Sequence, residues 1–327
     1  MGSESPGPHR SDLPPSAHQV MHLRPRDSAG LVFVGAAVVL TGLSFYLSSQ
    51  ASLAAWLAGQ VLLALALVQW FVLLHECGHE TLFRTRRLHR PVGHVAAFFA
   101  VIPFECWKRV HGLHHKWTGW QDLDPTTTAL VPRPLGRGER LLVNVCWKAW
   151  IPLFSLLYRA GNFWNVARLW RLFPRRGLRR RLAVNVACHL VVYAAVVAVV
   201  GVGEVVRLAG LGLLLSLMLE DPLLLSQHTH VPLNRSDGKA VVPYAAVDQA
   251  VFTRSLRFPR WVAAGVLLNL GAHELHHMYP FVPGYDLTRV EFSTENELPW
   301  WQWVRAAKRV PGEVLLFQNR TQSGLDI

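Results

Sequence analysis

Apolar residues in this chain come in long blocks with no short-period alternation. Four blocks, at roughly 29–47, 51–74, 182–201 and 205–226, carry almost no charge. Each approaches the about 20 residues a helix needs to cross a hydrocarbon core about 30 Å thick. Short links, Ser48–Gln50 and Val202–Glu204, join the blocks in pairs and predict two helical hairpins. Two further apolar pieces read differently. Residues 92–104 offer only about a dozen positions before Glu105, which suits a re-entrant or interfacial segment. Residues 143–170 mix Trp147, Trp150, Phe154, Trp164 and Trp170 with Lys148, Arg159 and Arg168, the composition of helices lying in the headgroup layer. The predicted fold is therefore all-α and integral to a membrane, with four transmembrane helices in two hairpins beneath a helical cap. Residues 1–28, polar and rich in Pro and Ser, read as a disordered tail, and 291–327 as a C-terminal tail.

Composition supports this picture, since 51% of residues are hydrophobic and only 17% charged. The net charge of +12 is concentrated: between Arg84 and Arg181 stand 19 Lys and Arg against four acids. A basic stretch flanked by apolar spans argues for the positive side of a membrane and against nucleic-acid binding. The flanks Arg24–Arg26, Arg84–Arg90 and Arg175–Arg181 adjoin one side, so both termini and both long loops are expected in the cytoplasm. Cys77, Cys106, Cys146 and Cys188 show no CxxC spacing and read as reduced thiols.

The histidines change the picture most. His75-Glu-Cys-Gly-His79 directly continues the second span, and its i, i+4 spacing puts both rings on one helical face. His111-Gly-Leu-His114-His115 and His273-Glu-Leu-His276-His277 are two further tight clusters, spaced for three rings to converge. Eight imidazoles exceed the four ligands of one tetrahedral ion and suit a pair of ions with open positions. Imidazole accepts zinc, copper, iron and nickel, so ligand type alone does not choose the metal. Gln227-His228-Thr-His230 ends the fourth span; two residues apart, the two rings point different ways, and His228 is the expected ninth ligand with His230 the alternative.

These boxes, HECGH, HGLHH and HELHH followed by Met278-Tyr-Pro280, together with the two hairpins, resemble the membrane fatty acid desaturase and hydroxylase family over about residues 29–290. The resemblance implies a di-iron centre on the eight box histidines with His228, O2 as co-substrate, and a lipid-borne acyl substrate. It also implies electrons from an external carrier, such as a ferredoxin or a cytochrome b5-like protein, and a bacterial inner membrane is the expected location. The Asn-xxx-His element of stearoyl-type members is absent, because Leu224 stands where the asparagine would be. Asn269 does precede the third box by four residues, as in many bacterial acyl-lipid desaturases, and is a candidate to hydrogen-bond a ligand. Carboxylates that orient the rings are sought in Glu76, Glu80, Glu274, Asp122 and Asp124. Glu220 and Asp221, inside the fourth apolar block, are expected near the active site or substrate path, with Pro222 loosening the helix beside them. A carotenoid ketolase or hydroxylase, or a lipid hydroxylase, is the alternative enzyme class. A metal transporter is the remote alternative, since transporters place ionisable ligands near the midplane and these cluster at one end.

Overall fold

The computed structural model describes residues 14–325 and 327; the first 13 positions of the expected N-terminal tail lie outside the described residues. Helices α1 (Asp27–Ser49) and α2 (Leu53–His79) form the first hairpin. Two shorter helices follow, α3 (His89–Ala100) and α4 (Phe104–Trp117), then a pair bent by 113°, α5 (Arg137–Lys148) and α6 (Leu153–Arg159). The second hairpin is α7 (Arg176–Val200) and α8 (Val202–His228). Helix α9 (His273–Met278) carries the third box, and α10 (Trp300–Arg309) and α11 (Gly312–Phe317) follow, before a last short turn of helix at Arg320–Ser323. A parallel ribbon pairs β1 (Ser255–Arg257) with β2 (Glu297–Pro299). Helices α1, α2, α7 and α8 are long and apolar enough to cross a membrane.

Helix α2 is the axis of the bundle. In its most apolar window 72% of residues are buried, against 22% in α1 and 17% in both α7 and α8. Its polar side chains are spent on its neighbours, as a lipid setting demands. Gln60 donates to Ser48 Oγ at 2.8 Å and to the Leu208 carbonyl at 2.9 Å, and its Oε1 accepts the Gly212 amide at 2.7 Å. Trp70 donates to Thr41 Oγ1 at 2.9 Å. Gly59 permits the close approach of α1: a Cβ there would sit 2.5 Å from Ser48 Oγ.

Helix α3 is 12 residues long, about 18 Å, too short to cross a bilayer core. Val101, at φ 55°, turns the chain back into α4, and Trp164 holds its carbonyl at 3.0 Å. On the α5–α6 wedge, Leu141, Leu142, Ile151 and Leu157 are exposed and give it an apolar outer surface. The carboxylates of α8 hold this wedge: Glu220 pairs with Arg159, and Asp221 Oδ1 accepts the Ser155 amide at 2.7 Å in the first turn of α6. Their burial is therefore compensated.

The described parts of both segments read as tails pack against the rest of the fold. Val20 and Leu23 are buried with Leu275, Met278 and Tyr279, and the Tyr279 hydroxyl donates to the Pro15 carbonyl at 2.6 Å. Trp303, Ala307 and Leu315 pack with Trp147, and the Lys308 ammonium lies 3.5 Å and 3.9 Å from the Trp147 and Trp150 ring centres. An apolar stripe four residues apart on α10 finds its cover on the wedge.

Candidate metal centre

Four elements deliver nine histidines to one layer at the cap end of the bundle. Their nitrogens gather into two sets, His75, His79, His111 and His276, and His114, His228, His273 and His277, with the candidate ligand atoms of each within 4.8 Å of one another. His115 stands between them: its Nε2 lies 3.1 Å from both His111 Nε2 and His276 Nε2, and its ring stacks on His277 at 4.3 Å. The second and third boxes are thus divided. His111 and His115, one turn apart, serve the first set and His114 crosses to the second; His273 and His277 serve the second and His276 crosses to the first. All three rings of each box face the centre, as their spacing predicts, but the rings of one box are shared between the two sets.

The donor set fits metal. His79 and His111 Nε2 lie 2.8 Å apart, His228 and His273 Nε2 3.0 Å, and His273 and His277 Nε2 3.1 Å. Each imidazole nitrogen offers a single N–H or a single lone pair. His111 Nε2 therefore cannot bond both His79 and His115, nor His115 Nε2 both His111 and His276. Two nitrogens each about 2.1 Å from a shared ion and at right angles would lie about 3 Å apart. His75 Nε2 is moreover buried without a hydrogen-bond partner. Burial, reinforced by the neighbouring rings, holds His111, His115, His273, His276 and His277 well below the ordinary histidine pKa, so they are neutral with lone pairs available.

Outward-facing nitrogens are held by acceptors that fix the tautomer. His114 Nδ1 donates to Asp124 Oδ2 at 2.7 Å, and Asp124 Oδ1 accepts the Thr126 amide at 2.8 Å. Burial alone would raise the Asp124 pKa; His114 and the Thr126 amide outweigh it and hold the group below the usual carboxylate range. His75 Nδ1 donates to Glu76 Oε1 at 3.3 Å, and Glu76 Oε2 accepts Thr81 Oγ1 at 2.8 Å and the Gly284 amide at 2.9 Å. His277 Nδ1 donates to Gln249 Oε1 at 2.9 Å, while Gln249 Nε2 donates to the His115 carbonyl at 2.8 Å. His228 Nδ1 donates to the Phe252 carbonyl at 3.3 Å. Gln249 and Phe252 lie in a 3-10 stretch, Ala246–Phe252, that carries no motif, so the sequence offered no signal for them.

The remaining sequence candidates do other work. Glu274 sits off the His273–His277 face, and its Oε1 accepts the Asn296 amide at 3.0 Å. Asn269, at φ 59°, forms the left-handed turn into α9 and donates to the Gly284 carbonyl at 3.0 Å. Asp122 caps Ser236, Glu80 pairs with Lys108 at 2.7 Å, and Asp221, besides accepting the Ser155 amide, lines a cavity along the wedge, beside the expected substrate path. His230 is buried away from both sets, its carbonyl accepting Arg254 Nη2 at 3.0 Å.

An apolar chamber touches both sets. A pocket of about 50 Å³ is lined by His75, His111, His114, His228 and His273 together with Phe71, Trp107 and Leu270. It shares Thr126, Leu130, Phe154, Tyr158 and Leu225 with a larger cavity of about 280 Å³ that runs along the α5–α6 wedge. On the opposite side, a cleft of about 910 Å³ reaches His79 between Arg24, Arg26, Arg84 and Arg86.

A helical membrane bundle with two sets of converging histidines beside an apolar cavity defines a class of membrane metalloproteins. Comparison with known proteins agrees: a family model described as fatty acid desaturase matches residues 51–314, and the chain belongs to that family. A fatty acid desaturase of Bacillus subtilis is 26% identical over 257 residues, covering 74% of this chain and 69% of that protein. An sn-1 oleoyl-lipid 12-desaturase of Anabaena variabilis is 24% identical over 277 residues, covering 80% of this chain and 74% of that protein. An acyl-lipid omega-3 desaturase (cytochrome b5) of the Arabidopsis thaliana endoplasmic reticulum is 24% identical over 238 residues, covering 66% of this chain and 58% of that protein.

Proposed function

We propose that this protein is an O2-dependent desaturase of membrane-lipid acyl chains, with iron bound by His75, His79, His111, His115 and His276 on one side and by His114, His228, His273 and His277 on the other. The observation that carries the reading is the apolar chamber that opens onto nitrogens of both sets. When bound, the two irons would supply the oxidising power that converts a –CH2–CH2– pair to –CH=CH–, one O2 taking up two hydrogens, two electrons and two protons to leave as two waters.

The protein's own residues do the rest. Phe71, Trp107, Phe154 and Leu270 exclude water and hold an unfunctionalised chain by contact alone. Asp124, Glu76, Gln249 and the Phe252 carbonyl keep an N–H on Nδ1 of their histidines, so that Nε2 stays free for metal. Because the larger cavity is walled by Val143, Ile151 and Leu157 of a wedge with a lipid-facing surface, the substrate would enter from the bilayer still attached to its lipid. The arginine-rimmed cleft at His79 suits an acidic electron carrier, a ferredoxin or a cytochrome b5-like protein, approaching from the cytoplasm. The same cationic flanks orient both termini to the cytoplasmic side of a bacterial inner membrane.

The test is fatty acid profiling by mass spectrometry of cells expressing the wild type or a His111→Ala/His115→Ala variant, with an electron carrier supplied and metal measured on both purified proteins. New acyl double bonds and about two irons per chain, both lost in the variant, are expected. An iron-loaded wild type that modifies a carotenoid or hydroxylates a lipid while leaving acyl unsaturation unchanged would overturn the acyl-desaturase assignment.

A further inference from the structure

A second lipid-facing feature lies apart from the acyl cavities. Between α3 and α7 runs an open groove of about 730 Å³ that shares no lining residue with either cavity. Arg180 and Arg181 stand at its rim with Arg90. Asn185, Cys188, His189 and Val192 continue down the same face of α7, one helical turn after another. From Arg181 to Val192 the helix descends about 17 Å, close to the about 15 Å depth of one leaflet's hydrocarbon. Helix α3 runs alongside: Arg90 pairs with Glu105 at 3.3 Å, the Glu105 amide donates to Asn185 Oδ1 at 3.0 Å, and deeper down the Tyr193 hydroxyl donates to the Phe98 carbonyl at 2.8 Å.

Two facts indicate an occupant. The rim holds three guanidiniums against one carboxylate, Glu105, and Arg180 and Arg181 have no ionic partner among the described residues. Below the rim, the His94 ring faces the groove and forms no hydrogen bond among the described residues, although it lies beside the buried Asn185 and His189. Polar groups at this depth in a leaflet are costly unless something pairs with them. A cationic rim, a polar neck and apolar walls in that order match a phosphate, an ester region and an acyl chain.

We propose that the α3–α7 groove is a binding site for one anionic phospholipid of the leaflet on the histidine side, distinct from the substrate cavity. Its phosphate lies among Arg90, Arg180 and Arg181, whose planar forks suit phosphate oxygens. Its ester region lies level with His94, and one chain runs along Val184, Phe98 and Val192. Zwitterionic lipids are disfavoured because their own ammonium would sit among the arginines.

The test is native mass spectrometry of the full-length protein after equilibration in nanodiscs of phosphatidylglycerol and phosphatidylcholine in equal parts. The wild type is expected to retain one phosphatidylglycerol in preference to phosphatidylcholine. Arg180→Gln/Arg181→Gln should weaken that retention about 30-fold. Cys188→Trp, which fills the groove and leaves the rim charges, should also lose the lipid. Arg175→Gln/Arg176→Gln, which removes equal charge at the same helix end outside the groove, should keep it. Equal loss in both arginine pairs would overturn the proposal in favour of diffuse surface attraction, and retention by Cys188→Trp would overturn the groove as the site. Undiminished lipid in Arg180→Gln/Arg181→Gln with slower reduction by an acidic ferredoxin would overturn it in favour of a carrier-docking role.

Discussion

The two histidine sets are built by different means. In the set of His114, His228, His273 and His277, three of four rings are held by an acceptor on Nδ1: Asp124 at 2.7 Å, Gln249 at 2.9 Å and the Phe252 carbonyl at 3.3 Å. In the set of His75, His79, His111 and His276 only His75 has one among the described residues, Glu76 at 3.3 Å. That set is held by packing instead, with Trp107 stacked on His111 at 4.2 Å and Gly78 giving Trp107 its room. It is also the set that the arginine-rimmed cleft reaches, at His79. The contrast suggests a division: hydrogen bonds fix ring orientation in the second set, and the first is exposed toward the incoming electrons.

Removing a ligand from either set should have the largest effect. His114→Ala and His276→Ala are each expected to abolish desaturation, but His114→Ala should still retain about one iron per chain by elemental analysis. If it empties both sites, the sets are one cooperative unit and the comparison breaks. Next in size, Asp124→Asn should cost about 10–100-fold in activity or iron affinity. Glu76→Gln should fall at the low end of that range, since its contact with histidine is longer and Thr81 and Gly284 share it. Equal losses would show that acceptors matter as much in the first set as in the second. Gln249→Leu should lower iron affinity about 10-fold, detected as easier loss of one iron to a chelator.

Packing in the first set can be probed without touching a nitrogen. In Gly78→Ala the new Cβ would stand 2.2 Å from the Trp107 ring. Overpacking of this kind costs about 1–3 kcal/mol, read as a lower melting temperature in detergent, and iron should be lost first from the set that leans on Trp107. The smallest effect is expected from Arg84→Gln/Arg86→Gln at the cleft: a several-fold rise in KM for an acidic carrier, unchanged kcat, and a difference that fades as salt screens the charges.

Much of this centre was legible in the residues. His75 and His79 continue an apolar block, so the bilayer itself fixes the level at which they emerge, and His228 closes another block at the same level. Asp124 was legible as a carboxylate shortly after the second box. Gln249 was not, because it reaches His277 across the cap from a segment with no periodicity or motif. Glu274 adjoins a ligand in sequence yet bonds the Asn296 amide, because neighbouring residues on a helix point about 100° apart. Residues 14–28 looked like a tail because their apolar positions are few, and 300–317 because its apolar positions, though many, are broken by Arg305, Lys308, Arg309 and Pro311 into pieces too short to span a bilayer; neither predicts burial without the surface that receives it.

The sequence by itself determined the four spans, the side on which charge gathers and the presence of histidine clusters able to hold metal, because helix length against bilayer thickness and i, i+4 spacing are local properties. Only the tertiary structure decided which histidine joins which set, which acceptor fixes which ring and where the acyl cavity runs. Those depend on the angles at which α2, α4, α8 and α9 meet. A few tens of degrees of helix rotation sends His114 and His276 to the opposite set from their box neighbours, and no spacing within a box encodes that rotation.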